Sequence, residues 1–242
     1  MSYSKARCVG SASARRGNGI GVNLGKLVVF EGIDGSGKST QFDLLCDRYS
    51  KEGAEFKRIR FPRYGEPSSA LLKMYLGGAF GDDPDAVNAY AASAFYAVDR
   101  VASFIQDWRG YYESGGLVLT DRYTTSNSIH QGAKMQPGQR ERFFDWLYEF
   151  EFTYMGLPAP YMVVYLDIDA EQAARRLQRR QDETGTAGDI HEKDVAYLKQ
   201  CALTGSQAAA HYGWLKVRCF DGGHERGADE IHNEIYTILK HL

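Results

Sequence analysis

The stretch KLVVFEGIDGSGKST, residues 26–40, decides the fold. Its first half is a short apolar run, Leu27-Val28-Val29-Phe30, of the kind that forms a buried strand. Its second half fits G-x-x-x-x-G-K-[ST], with Gly32, Gly37, Lys38 and Ser39 at the required positions, and the helical-looking QFDLLCDRYS follows. Strand, loop and helix in that order make a phosphate-binding loop. Gly32, Gly35 and Gly37 lack a Cβ, so the backbone can turn successive N–H groups onto a polyphosphate. The helix starting near Lys38 points its positive end at the same anion. Lys38 supplies a full charge to the β- and γ-phosphates, and the Ser39 hydroxyl is placed to ligand Mg²⁺. Asp34, Gly35, Ser36 and Thr40 complete the loop expected to bind ATP.

Outward from this loop, short apolar runs recur at 55–61, 116–121, 161–168 and 215–220. Helix-length segments lie between them, at 38–52, 66–77, 84–113, 138–155, 170–182, 189–211 and 226–241. The alternation predicts an α/β fold: a parallel, five-stranded sheet covered by helices on both faces, with ligands at the carboxyl ends of the strands. The domain is expected over 26–242. Residues 1–25, rich in Ser, Gly, Ala and Arg and free of acidic residues, read as a disordered extension, with organellar targeting as the alternative.

Composition excludes several classes. A net charge of −2 over 242 residues does not suit a nucleic-acid-binding body. No apolar stretch is long enough to span a membrane. Cys8, Cys46, Cys201 and Cys219 are scattered without metal or disulfide spacing, which suits a reducing, cytoplasmic setting. The N-K-x-D tetrapeptide that a GTPase uses to read its base does not occur.

Further chemistry falls at the strand ends. FPRY (61–64) closes the second strand and offers Phe61, Arg63 and Tyr64 as substrate-binding candidates, and Asp121 closes the third, followed by Arg122 and Tyr123. A carboxylate at Asp121 can act on Mg²⁺ opposite Ser39, and an arginine at 122 can bridge donor and acceptor phosphates. Ser126, Asn127, His130 and Gln131 form a polar run suited to a sugar and base pocket, or equally to a solvated loop. Tyr96 and Arg100 are four apart on a helical segment, hence on one face, where a ring can stack on a base and a guanidinium can read its edge. The competing reading is an ordinary core stripe.

FEGIDGSGKST, FPRYGEPSS, YLGGAFG, AFYAVDR, DRYTTSNSIHQGAK, GLPAPYMVVYLDI and GDIHEKD occur in this order, and together they resemble the thymidylate kinase family of P-loop nucleoside monophosphate kinases over about 26–240. The resemblance implies ATP-dependent phosphorylation of dTMP to dTDP and assembly as a homodimer. It assigns Lys38 and Ser39 to ATP and Mg²⁺, and Asp34 to the acceptor's 3′-hydroxyl. Arg63 and Tyr64 fall near the acceptor phosphate, Tyr96 stacks on thymine, and Arg100 reads the base. Arg122 holds the acceptor phosphate and Asp121 organises the metal, while Asn127, Gln131 and Glu192 line the nucleoside site. His130 stands where relatives carry Tyr or Phe. Gly35-Ser36 follows the loop aspartate in place of a basic residue, so lid arginines are expected to supply the charge. RRLQRRQDETGTAGD then reads as a mobile lid over about 175–190, with Arg176 and Arg180 as catalytic candidates and Arg175 and Arg179 on a second face. Two alternatives stay open: a kinase for dUMP or thymidine, and a non-catalytic ATP-binding protein.

Overall fold

A computed structural model describes residues 24–81, 86–184 and 195–242. Glu192, the end of the expected lid and nearly all of the N-terminal extension lie outside the described residues. The five expected strands are present as β1 (Lys26–Glu31), β2 (Lys57–Arg60), β3 (Leu117–Asp121), β4 (Met162–Asp167) and β5 (Leu215–Arg218). They form one sheet in the order β2-β3-β1-β4-β5, and every pairing is parallel. β1 is buried on both faces because its side chains alternate. Val28 and Phe30 enter one core with Phe42, Leu45, Leu119 and Val164. Leu27 and Val29 enter the other with Phe104, Trp108, Val118 and Tyr123.

The helices are α1 (Lys38–Lys51), α2 (Ala70–Leu76), α3 (Ala89–Ser103), α4 (Arg109–Glu113), α5 (Thr124–His130), α6 (Arg140–Tyr148), α7 (Ala170–Thr184), α8 (Val195–Tyr212) and α9 (Ala228–Leu239). Two π-helical stretches lengthen this set: Phe104–Trp108 joins α3 to α4, and Glu149–Tyr154 continues α6. A small antiparallel hairpin, β6 (Phe220–Asp221) and β7 (His224–Glu225), precedes α9.

The chain leaves β1 for β2 on one side of the sheet and leaves β3 for β4 on the other. Adjacent β1 and β3 therefore part at their carboxyl ends and open a crevice there. Phe30 pairs with Asp121 and Arg60 pairs with Asp121 across the register, so the residues following β1, β2 and β3 converge on one edge.

Candidate active site

The loop between β1 and α1 has the shape its glycines permit. Gly35, at φ +80°, passes so close to α7 that a Cβ would sit 2.4 Å from the Ala173 carbonyl oxygen. Gly32 meets Ser36 in the same way: a Cβ there would lie 2.5 Å from Ser36 Oγ. Lys38, buried at the start of α1, donates Nζ to Asp34 Oδ1 at 3.1 Å and to the Ile33 carbonyl at 3.4 Å. Burial and the nearby Arg122 charge lower the Lys38 pKa, against the pull of Asp34, Asp121 and Glu31. A cavity of about 610 Å³ opens over this loop, lined by Asp34 through Gln41, Arg122, Arg176, Arg179, Arg180 and the start of α9. Ser39 and Thr40 are exposed to it.

The expected lid arginines separate on α7. Arg176 Nη1 donates to the Ser36 carbonyl at 3.0 Å and its Nε pairs with Glu225 at 2.9 Å, on the hairpin strand β7. Arg179 reaches the same carboxylate at 3.5 Å. Arg180 lines the cavity as well, whereas Arg175 is exposed and does not. Arg176, Arg179 and Arg180 thus face the cavity over the phosphate loop, and Arg175 does not.

Arg122 is the joint between loop and acceptor side. It is the one non-glycine residue with positive φ, +66°, among the described residues. Its backbone N–H donates to the Phe30 carbonyl at 3.1 Å, and Thr120 Oγ1 donates to its carbonyl at 2.8 Å. This pinned backbone turns the side chain back over the loop. Nη2 pairs with Asp34, while Nη1 meets Ser126 Oγ at 3.3 Å and His130 Nε2 at 3.0 Å. Arginine only donates, so His130 Nε2 accepts, and the proton of the neutral ring sits on Nδ1, near Tyr197 Oη and Cys201 Sγ. Burial alone would lower the Arg122 pKa, yet Asp34, Glu31 and Asp121 together hold it above its ordinary value. Burial likewise pushes Asp34 up, but Lys38 and Arg122 outweigh it and hold that carboxyl well below the usual range. Asp34 is a fixed anion between two cations that would otherwise face each other bare.

Two buried carboxylates escaped the sequence reading here. Glu31, the last residue of β1, is fully buried and accepts from the Gly32 N–H at 3.0 Å and from the Thr125 and Ser126 hydroxyls, each at 2.8 Å. Asp99 on α3 accepts from the Arg63 backbone N–H at 2.8 Å and Nε at 3.2 Å, and from Ser68 Oγ at 2.6 Å. Arg63 is thereby clamped beside the crevice. Nothing in the chain marks these acids in advance, because an Asp or Glu in sequence is normally a surface residue.

Asp121 is buried with Oδ2 held by Arg60 Nε at 3.1 Å, while Oδ1 has no hydrogen-bond partner among the described residues. A buried carboxylate oxygen left over at a phosphate loop fits a divalent cation or its water.

On the acceptor side, Tyr96 is half-buried, and burial raises its phenol pKa, so it stays neutral. Tyr64 and Tyr75 lie near it. The polar run 124–134 is not a loop: it begins with α5, in which Thr124, Thr125, Asn127 and Ser128 are buried. Gln131, just beyond, is buried with Oε1 lacking a partner among the described residues. Phe61 departs from expectation. It does not line the crevice but packs in the second core, 6.0 Å from the Tyr123 ring, where its apolar surface is removed from water. Arg100 is buried, only 2% exposed, and paired with Glu151.

A parallel sheet carrying a phosphate loop, with Arg63 and Arg122 held by carboxylates just beyond the ends of β2 and β3, defines a P-loop phosphotransferase of the nucleoside monophosphate kinase class. Comparison with known proteins agrees. The sequence model of the family described as thymidylate kinase matches residues 30–209, so the chain belongs to the thymidylate kinase family. It is 31% identical to a thymidylate kinase of Mycobacterium tuberculosis over 190 residues, covering 78% of this chain and 87% of the relative. It is 27% identical to a thymidylate kinase of Dictyostelium discoideum, covering 90% and 86%. The solved structure of thymidylate kinase from Candida albicans shares the fold, with a TM-score of 0.66 at 21% identity and coverage of 90% and 92%.

Proposed function

We propose that this kinase transfers the γ-phosphoryl group of ATP directly to the 5′-phosphate of dTMP, giving dTDP and ADP. The observation that carries the reading is Arg122, held by its left-handed backbone between the phosphate loop and the acceptor crevice, with Asp34 and Lys38 beside it. Lys38, Arg122 and Arg176 or Arg180 surround the group in flight and offset its charge, while the loop N–H groups hold the donor. Arrival of two phosphates supplies the anions that Asp34 now provides, freeing its carboxylate toward the sugar hydroxyl. Arg63, clamped by Asp99, meets the acceptor phosphate, and Tyr64 lies beside it. Tyr96 offers a ring to the base, Arg100 its donor, and Asn127, His130 and Gln131 line the nucleoside site. Ser39 and the free Oδ1 of Asp121 would hold Mg²⁺, which neutralises phosphate charge when bound.

Tyr90, Val98 and Ile105 are exposed along α3 and its continuation and favour pairing with a second copy. No helix among the described residues is long and apolar enough to cross a membrane. Cys46, Cys201 and Cys219 are free and buried, which suits work in the cytoplasm.

The test is ADP release with ATP·Mg²⁺ against dTMP, dUMP, dCMP, UMP and thymidine. A strong preference for dTMP is expected. Turnover of thymidine at the dTMP rate contradicts the role given to Arg63 and Arg122. ATP binding without acceptor-dependent ADP release contradicts the kinase reading itself.

A further inference from the structure

Glu151 lies in EFEFTY, an aromatic-rich stretch with no motif to single it out. The π-helical widening of Glu149–Tyr154 turns it inward, and it is fully buried. Its Oε2 accepts from Arg100 Nε at 2.6 Å and its Oε1 from Arg100 Nη2, a side-on, two-bond pairing. The same carboxylate accepts from Thr124 Oγ1 at 2.7 Å and from Asn127 Nδ2 at 3.4 Å. One acid therefore ties α3, α5 and the continuation of α6 together, at the point where the base is proposed to bind.

Stability is a poor reason for such a pair. Two charges taken out of water gain little over well-packed apolar residues of the same size, whereas a lone buried partner is strongly unfavourable. The arrangement does, however, fix a direction. A guanidinium is planar, and with Nε and Nη2 engaged its orientation is set. Arg100 Nη1 is left with no hydrogen bond to any described residue. That nitrogen can only donate, so it selects a partner that accepts.

We infer that Glu151 is the positioning residue for recognition of the acceptor base: it orients Arg100 and steadies Asn127, and so sets selectivity for a pyrimidine edge bearing a carbonyl over one bearing an amine. The inference rests on the dTMP reading above. A base with an exocyclic carbonyl completes Arg100, while an exocyclic amine meets it donor to donor and leaves both unpaired. Glu151 itself does not touch the nucleotide.

The experiment is steady-state kinetics of wild type, Glu151→Gln and Glu151→Asp with dTMP and dCMP at saturating ATP. In Glu151→Gln the amide cannot hold both guanidinium donors. The KM for dTMP is expected to rise about tenfold or more and the dTMP-over-dCMP ratio of kcat/KM to fall by a similar factor, with kcat and the KM for ATP little changed. Glu151→Asp keeps the charge but withdraws it by one methylene. It is expected to move both quantities the same way by less, and it carries the test if the Gln variant does not fold. A wild type that prefers dTMP, with variants that keep its KM and its ratio, overturns this inference alone. A wild type without that preference overturns the acceptor reading and this inference with it.

Discussion

The two halves of the site are built in opposite ways. The donor half is centred on one continuous loop from Gly32 to Thr40, whose shape follows from glycines at fixed offsets, with Arg176, Arg179 and Arg180 of α7 over it. The acceptor half is drawn from the end of β2, from α3, from the residues after β3 and from α5. Two of its arginines are aimed by buried acids from other elements: Asp99 holds Arg63 and Glu151 holds Arg100. A loop that positions itself tolerates change around it. A site positioned by pairs can be retuned through residues that never meet the ligand, which is a physical route to different acceptors on one donor scaffold.

The comparison predicts a hierarchy of effects. The largest belongs to the donor half. Lys38→Ala removes a buried charge at the phosphate loop, and kcat is expected to fall about 10²–10³-fold or more, with dTMP binding little altered. Steady-state kinetics with parallel dTMP titrations check this, and a variant with wild-type kcat would remove Lys38 from the transfer. The smallest effect lies at the seam between the halves. Burial raises the pKa of Glu31 above the ordinary glutamate value of 4.5. An acid whose folded pKa is raised contributes stability that is complete below its unfolded pKa and is lost as pH rises through the folded one. The stability of wild type relative to Glu31→Gln should therefore decline as pH rises from about 4.5 toward neutrality, measured by urea melts at several pH values. A flat difference would mean that Arg122 and the three donors to its carboxylate fully offset the burial of Glu31.

The same contrast explains what the sequence could disclose. The β1–loop–α1 unit was legible because strand pattern, glycine spacing and Lys38-Ser39 are all local. The five strands and their parallel direction were legible from alternation, though not their order in the sheet, and EFKRIRF yields a strand only over Lys57–Arg60. TTSNSIH read as a polar run because Thr, Ser and Asn are poor helix formers. It becomes α5 because Glu31 and Glu151 accept its buried hydroxyls, a tertiary effect with no local trace. The hairpin of DGGHE was likewise hidden, and with it Glu225, which holds Arg176 over the loop. Tyr96 and Arg100 were placed on one face by spacing alone, yet the depth of Arg100 depends on Glu151, fifty-one residues away.

Arg122 touches both halves, so its removal tests the account most directly. Arg122→Ala and wild type should be titrated calorimetrically with dTMP and, separately, with a non-hydrolysable ATP analogue, followed by turnover measurements. In Arg122→Ala, dTMP affinity is expected to weaken about tenfold or more, analogue affinity to be nearly retained because the loop N–H groups and Lys38 remain, and turnover to fall beyond either binding change. Loss of analogue binding with dTMP affinity intact, or unchanged turnover, would contradict that expectation.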